Sequence, residues 1–195
     1  MERASALDVF CDFIEAPDRA AEAVRERPPV WIALAGYAAA SLSVFLAHGV
    51  AGSNGILGFS LAALGMLLLS RLALGVLLTG LVHMAAETFG GNGRALPLFV
   101  LMGLSDLAWT LLLPATLLMQ VAAVHSRWMA AAVFLGIYWL CLSLRARSIR
   151  HNYRVGALKA WAALLSPYAA AAGLGLALFA AALWGLAQQA VRLFS

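Results

Sequence analysis

Two opposite charges stand inside long apolar runs of this 195-residue chain. Arg71 lies in the run RLALGVLLTGLVHMAA, Asp106 lies in ALPLFVLMGLSDLAW, and a glycine-rich turn separates the two runs. If both runs are helices, Arg71 lies roughly 22 Å and Asp106 roughly 16 Å from the turn, a difference that an arginine side chain can bridge. A guanidinium can hold a carboxylate with two hydrogen bonds. We therefore predict a buried pair that either clamps the two helices together or lines a polar pocket for an ion, a proton or a lipid head group.

A second polar pair, His83 and Glu87, stands where the first of these runs ends. Residues four apart share one face of a helix, so the two side chains could supply two metal ligands. A metal site needs three or four ligands, and His48 and His125 are expected at the opposite membrane face. We predict a hydrogen-bonded pair at the membrane boundary and no metal.

The turn itself contains Gly90, Gly91 and Gly93 in the sequence GGNGR. It lacks the Lys-Ser or Lys-Thr that follows a phosphate-binding P-loop, and it follows a helix rather than a strand. Glycine after a helix typically provides the positive φ of a C-cap, so we predict a turn. The chain also lacks a GxSxG motif, and Asp106 is the one acid expected at membrane depth. We therefore predict no catalytic residues, no cofactor and no enzymatic activity.

The composition indicates that lipid is the main solvent of the elements that carry these residues. The chain is 64% hydrophobic and 11% charged, with a mean hydropathy of +0.89, whereas a soluble domain is about half apolar and a quarter charged. We predict an all-α, polytopic integral membrane bundle with five transmembrane helices, each near the ~20 residues that a crossing needs. The predicted spans are 30–50, 56–86, 95–121 with a bend or break near Pro114, 128–144 and 161–187. A short tail, 188–195, follows them.

Residues 1–29 are predicted to form an amphipathic cytoplasmic segment. Apolar residues recur there at helical spacing between acids: Leu7, Phe10, Phe13 and Ile14. Pro17 interrupts this pattern, and a second polar helix is expected over 18–27 before two prolines end it. The segment is either an interfacial helix that meets lipid or a partner, or a cap that packs on the bundle's own loops.

The distribution of basic residues predicts the orientation. Ten of the thirteen Lys and Arg residues lie in the amino-terminal segment and in the second and fourth loops, and two lie on the other side. The positive-inside rule then places the amino terminus in the cytoplasm and the carboxyl terminus outside. The fourth loop, 145–159, is expected to contact anionic lipid head groups through five residues: Arg145, Arg147, Arg150, Arg154 and Lys159. Basic residues confined to loops do not indicate nucleic-acid binding.

The last predicted span contains small residues at a spacing of four: Ala169, Gly173, Ala177, Ala181 and Gly185. Such a ladder lets helices approach closely. We predict internal packing, with self-association as the alternative.

The order of these features over about residues 8–186 resembles the Yip domain family, the Ypt/Rab-interacting five-span membrane proteins. The matching stretches are DVFCDFIEAPDRA, HMAAETFGGNGR, GLSDLAWTLLLP and LRARSIRHNYRVGALKAWAALLSP. Gly90, Gly91 and Pro114 match the pattern of the family.

The resemblance implies a five-span, non-enzymatic protein that organises membrane lipids or acts as an adaptor for partner proteins. The expected partners are membrane lipids, other membrane proteins or a second copy of the chain. Eukaryotic members are linked to Rab GTPases, but the arginine- and alanine-rich composition and the short amino terminus suggest a bacterial relative in the inner membrane. The alternative function is a conduit for small solutes or ions that uses Arg71 and Asp106.

Overall fold

The structure, a computed structural model, describes residues 11–13, 15–52, 59–122 and 126–194. The described chain is mostly helical and contains no strand. Its helices are α1 (Pro17–Glu26), α2 (Val30–Val50), α3 (Leu61–Thr88), α4 (Ala95–Asp106), α5 (Leu112–Val121), α6 (Arg127–Tyr153) and α7 (Ala157–Phe194), and a 3-10 segment, η1 (Leu107–Leu111), joins α4 to α5. Leu7, Phe10, Ile14 and His125 lie outside the described residues.

Among the residues that the structure describes, five helical stretches are long and apolar enough to cross a membrane. They are α2, α3, the α4–η1–α5 stretch, α6, and α7 as far as Leu186. An α-helix rises ~1.5 Å per residue, so stretches of this length cover a hydrocarbon core of about 30 Å. The predicted all-α class with five membrane-spanning helices is confirmed.

The fourth span is longer than the sequence indicated. The helix α6 continues beyond Leu144 to Tyr153, because buried side chains such as Ile149 and Asn152 keep recurring on its inner face. The fourth loop is consequently reduced to 154–156, and Arg154 caps α6 with a left-handed backbone at φ 53°. The helix α7 likewise starts at Ala157 and includes most of the predicted tail.

The third span is interrupted at η1, one turn before Pro114. Proline has no N–H, so the carbonyl of Thr110, four residues earlier, cannot receive its helical hydrogen bond. The hydroxyl of Ser43 on α2 donates to this carbonyl at 3.1 Å. The predicted bend therefore lies at 107–111, where a neighbouring helix satisfies the freed backbone group, as lipid cannot.

The same solution recurs in α7. Pro167 lies inside this helix, so the carbonyl of Ala163 loses its helical partner. The hydroxyl of Ser166 donates to that carbonyl at 3.0 Å. The helix therefore continues past the proline with its backbone oxygen satisfied.

The centre of the bundle is a close approach between α2 and α4. A Cβ atom added to Gly36 would lie 2.4 Å from the carbonyl oxygen of Gly103, and one added to Gly103 would lie 2.7 Å from Cα of Ala33. The two backbones can approach this closely only because both positions lack a side chain. This contact positions the end of α4, and with it Asp106.

The amino-terminal segment packs on the bundle. Phe13, Ala20 and Val24 are buried in one cluster with Val100 and Leu101 of α4. The helix α1 also contacts α6. This packing matches the interpretation of the segment as a cap.

The loops predicted to share a side meet at one end of the bundle. The amide of Asn152 donates to the carbonyl of Arg94 at 3.0 Å, and the ammonium of Lys159 donates to the carbonyl of Phe89 at 3.1 Å. Because α1 packs beside them, we call this end the α1 end. At the opposite end, Gln120 hydrogen-bonds the carbonyl of Val50.

The small-residue ladder of α7 is not packed internally, so that prediction is wrong. All five of its residues are exposed in the described chain, and a Cβ atom added to Gly173 or Gly185 would meet nothing within 4 Å. The helix buries Ala160, Ala163 and Leu164 near its start. The residues from Tyr168 to Leu186 are exposed.

Candidate functional site

A charge cluster of Arg71, Asp106 and Arg145 lies within the bundle. Asp106 is only 2% exposed. Its Oδ2 atom lies 3.1 Å from Nη1 of Arg71 on α3, and its Oδ1 atom lies 2.5 Å from Nη2 of Arg145 on α6. The structure thus brings the predicted pair together and adds a second arginine that the sequence placed in a loop.

Side chains around the cluster hold its members in place. The guanidinium of Arg71 lies over the ring of Trp109 on η1, 5.5 Å from the centroid, a favourable cation–π position. The thiol of Cys141 lies 3.8 Å from Oδ1 of Asp106. Arg145 follows Cys141 by one helical turn, so both side chains lie on the inner face of α6.

The cluster contains two cations and one anion. Each carboxylate oxygen of Asp106 binds one guanidinium, which leaves one positive charge in excess. A charge at membrane depth costs ~2.5–3.5 kcal/mol on insertion scales when it is not neutralised. The arginines are only 18% and 14% exposed. A further anion in the groove would neutralise the excess positive charge of the cluster.

Two hydrogen-bond donors beside the cluster have no partner in the described chain. They are Nε of Arg145 and the hydroxyl of Tyr37, which is 1% exposed. The hydroxyl fits there because Gly75 has no side chain: an added Cβ would lie 2.6 Å from it. Buried polar groups are normally hydrogen-bonded, so unpartnered donors at one place are informative.

The cluster forms the floor of a cavity of about 470 Å³ between α3 and α7, which we call the lateral groove. Its lining comes from helices α2, α3, α4, α6, α7 and η1 and from none of the described loops. Most of the lining is apolar, including Leu67, Leu74 and Leu78 of α3 and Ala171 of α7. Leu74 and Leu77 at the rim are 63% and 57% exposed. The groove therefore opens sideways among side chains that face lipid.

The second predicted pair is also brought together, with a third partner. Nε2 of His83 lies 3.5 Å from Oε1 of Glu87, and Nδ1 of His83 lies 2.6 Å from the hydroxyl of Tyr153. Within the described ranges, no group of three His, Cys, Asp or Glu residues could hold a metal ion. The arrangement ties α3 to α6 near the α1 end.

The glycine turn supports that tie. Gly90 has φ 82°, which glycine adopts without strain, and the amide of Gly91 donates to the carbonyl of Ala86 at 2.9 Å. A Cβ atom added to Gly93 would lie 2.5 Å from the ring of Tyr153. The turn therefore provides space for the tyrosine that His83 contacts.

The other residues predicted to meet head groups lie at the α1 end. Arg147, Arg150, Arg154 and Lys159 are all exposed there. The guanidinium of Arg154 lies 3.9 Å from the carboxylate of Glu22 on α1. Arg145, by contrast, lines the lateral groove.

Comparison of the chain with models of protein families, with curated proteins and with solved structures found no match. The resemblance to the Yip domain family stays a prediction.

Proposed function

We propose that this chain is a non-enzymatic, Yip-like membrane protein that organises membrane lipids by binding a lipid in the lateral groove. The observation that supports this proposal is the combination of apolar walls and a charged floor in one cavity at membrane depth. Ligand sites are usually apolar cavities with a few placed polar groups. A lipid has the matching shape, with one polar end and a long apolar part.

The depth of Arg145 suits a lipid head group. The apolar part of α6 ends at Leu144, and Arg145 lies about eight residues from the end of the helix, roughly 12 Å. Arginine at such a depth can meet the head-group region of its own leaflet. The groove continues over 67–81 of α3, roughly 21 Å along the helix, which is most of a hydrocarbon core of about 30 Å.

We further propose that the α1 end faces the cytoplasm of a bacterium, with the carboxyl terminus outside. The support is the concentration of exposed arginines at that end and the attraction of cytoplasmic-leaflet lipids for basic segments. Adaptor contacts with other membrane proteins, or with a second copy of the chain, would then use the exposed outer faces of α3 and α7.

A conduit for small solutes or ions is the alternative, because the cavity reaches both Arg71 and Asp106. A conduit needs a polar route towards both membrane faces. The described lining is mostly apolar and includes no loop residue, so the geometry favours a lipid. Solute flux through liposomes that contain the protein, absent from protein-free liposomes, would support the alternative.

Mass spectrometry of lipids retained in mild detergent tests the proposal. Ala171→Trp places a bulky side chain in the groove wall, and Ala177→Trp places it at an exposed position of the same helix that does not line the groove. We expect the first variant to lose its retained lipid and the second to keep it. Equal retention by wild type and Ala171→Trp would contradict lipid binding in the groove.

A further inference from the structure

The charged groups that are accessible at the floor of the lateral groove are positive. Arg71 and Arg145 expose parts of their guanidinium-bearing side chains, 18% and 14%, whereas Asp106 is 2% exposed. Asp106 is the acidic residue among those that line the groove. A bound molecule therefore meets cations.

Two groups at the floor of the groove have unused hydrogen-bonding capacity. Nε of Arg145 has no partner, and the hydroxyl of Tyr37 beside it has none. A guanidinium can only donate, whereas a neutral tyrosine hydroxyl can donate its proton or accept one. Both unpartnered atoms are buried, so an incoming anion first meets the exposed parts of the Arg71 and Arg145 side chains. Guanidinium binds phosphate and carboxylate oxygens with favourable geometry, and a small shift of either buried group would bring its proton to the same anion.

The floor offers no accessible carboxylate to a cationic group, because Asp106 is only 2% exposed. Oδ2 of Asp106 is bound to Arg71, and Oδ1 is bound to Arg145. An ammonium or choline group would consequently find no accessible carboxylate and would be repelled by the excess positive charge. A zwitterionic head group brings such a cation with its phosphate, and an anionic head group does not.

We infer that the lateral groove selects amphiphiles whose head group carries a single negative charge, a phosphodiester or a carboxylate, over zwitterionic lipids. This inference rests on the proposed binding of lipid in the groove. One such charge balances the excess cation of the cluster. The leucine-rich wall of α3 and the wall of α7 then contact the apolar chains.

Native mass spectrometry of the full-length protein with added lipids tests the selectivity. The probes are phosphatidylglycerol, oleate and phosphatidylcholine, the two phospholipids having the same chains. A charge-assisted hydrogen bond contributes enough for about tenfold in affinity, so we expect phosphatidylglycerol or oleate to bind at least about tenfold more tightly than phosphatidylcholine. The two anionic probes distinguish a phosphodiester site from a carboxylate site, and preference for either one supports the inference.

Variants locate the selectivity. Arg145→Gln and Arg71→Gln are expected to reduce the anionic preference by about tenfold each. Arg150→Gln, at an exposed position of the same helix, is the matched control and is expected to keep it. Tyr37→Phe retains the ring and removes only the hydroxyl, so it should disturb folding less than an arginine variant and serves as the test if those variants do not fold. We expect it to reduce the anionic preference by less than the arginine variants do.

Three results would overturn the inference. Equal binding of all three probes that Ala171→Trp abolishes would disprove the selectivity and leave lipid binding intact. Absence of any bound lipid would disprove both. The anionic preference could also be lost in Arg150→Gln and kept in Arg145→Gln, Arg71→Gln and Tyr37→Phe. That result would assign the anion to the surface of the α1 end.

Discussion

Replacing Asp106 by asparagine tests whether one carboxylate neutralises two arginines. The variant keeps the size of the side chain and leaves Arg71 and Arg145 without their anion. Removing one partner of a buried ion pair costs about 3–5 kcal/mol. The lower value, about 3 kcal/mol, corresponds to roughly 150-fold in the folding equilibrium.

The arginine variants provide the comparison. Arg71→Gln leaves Asp106 paired with Arg145, so the remaining cluster is balanced, and the cost is that of one charged hydrogen bond, about 1.5 kcal/mol. Unfolding free energies measured in bicelles or mixed micelles for the variants should therefore rank Asp106→Asn as the least stable. The combination of Asp106→Asn with Arg71→Gln should cost less than the sum of the two. A loss for Asp106→Asn no greater than that for Arg71→Gln, or fully additive losses, would refute the shared carboxylate.

Two further predictions concern packing and orientation. Gly36→Ala should destabilise the protein by about 1–3 kcal/mol in the same unfolding assay, because the added Cβ would lie 2.4 Å from the carbonyl oxygen of Gly103. The control is Gly65→Ala, which should be neutral because an added Cβ there would meet nothing within 4 Å. Equal losses of stability in the two variants would disprove the close approach of α2 to α4. Cys11 is exposed and Cys141 is buried, so a membrane-impermeant maleimide should label one thiol, and only after cells are opened; labelling of intact spheroplasts would reverse the proposed orientation.

The five spans and the Arg71–Asp106 pair could be predicted because each is visible in the local hydropathy of the sequence. An apolar run of about 20 residues indicates a span wherever it occurs. A single Arg71 or Asp106 within such a run is conspicuous because a charge there is costly. The two loops at the α1 end could also be predicted to share a side from their arginines alone.

Arg145 was assigned to a loop because hydropathy falls where the apolar run ends. The helix nevertheless continues, since Cys141, Ser148 and Asn152 are buried on the face that includes Arg145. Their helical spacing was the signal that could have revealed this residue. Hydropathy alone does not distinguish a polar loop from a helix whose polar residues bind other helices.

Tyr37 was not predicted as part of the site because its role depends on tertiary structure. Its hydroxyl reaches the cluster only because Gly75, on another helix, provides space. Gly36 and Gly103, the small residues that allow α2 and α4 to approach closely, were also not predicted, because they do not form a regular ladder like the small residues of α7. Spacing within one helix does not show which face a neighbour covers.

The bridging position of Asp106 has a consequence for the order in which the chain enters the membrane. Arg71 precedes it by 35 residues, and Arg145 follows it by 39. During synthesis the carboxylate therefore arrives when one cation is already available, and the second and third spans can enter the bilayer with Arg71 and Asp106 neutralising each other. The second cation arrives with the next span, so the excess charge is introduced only when that span, which completes the floor of the groove, has been made.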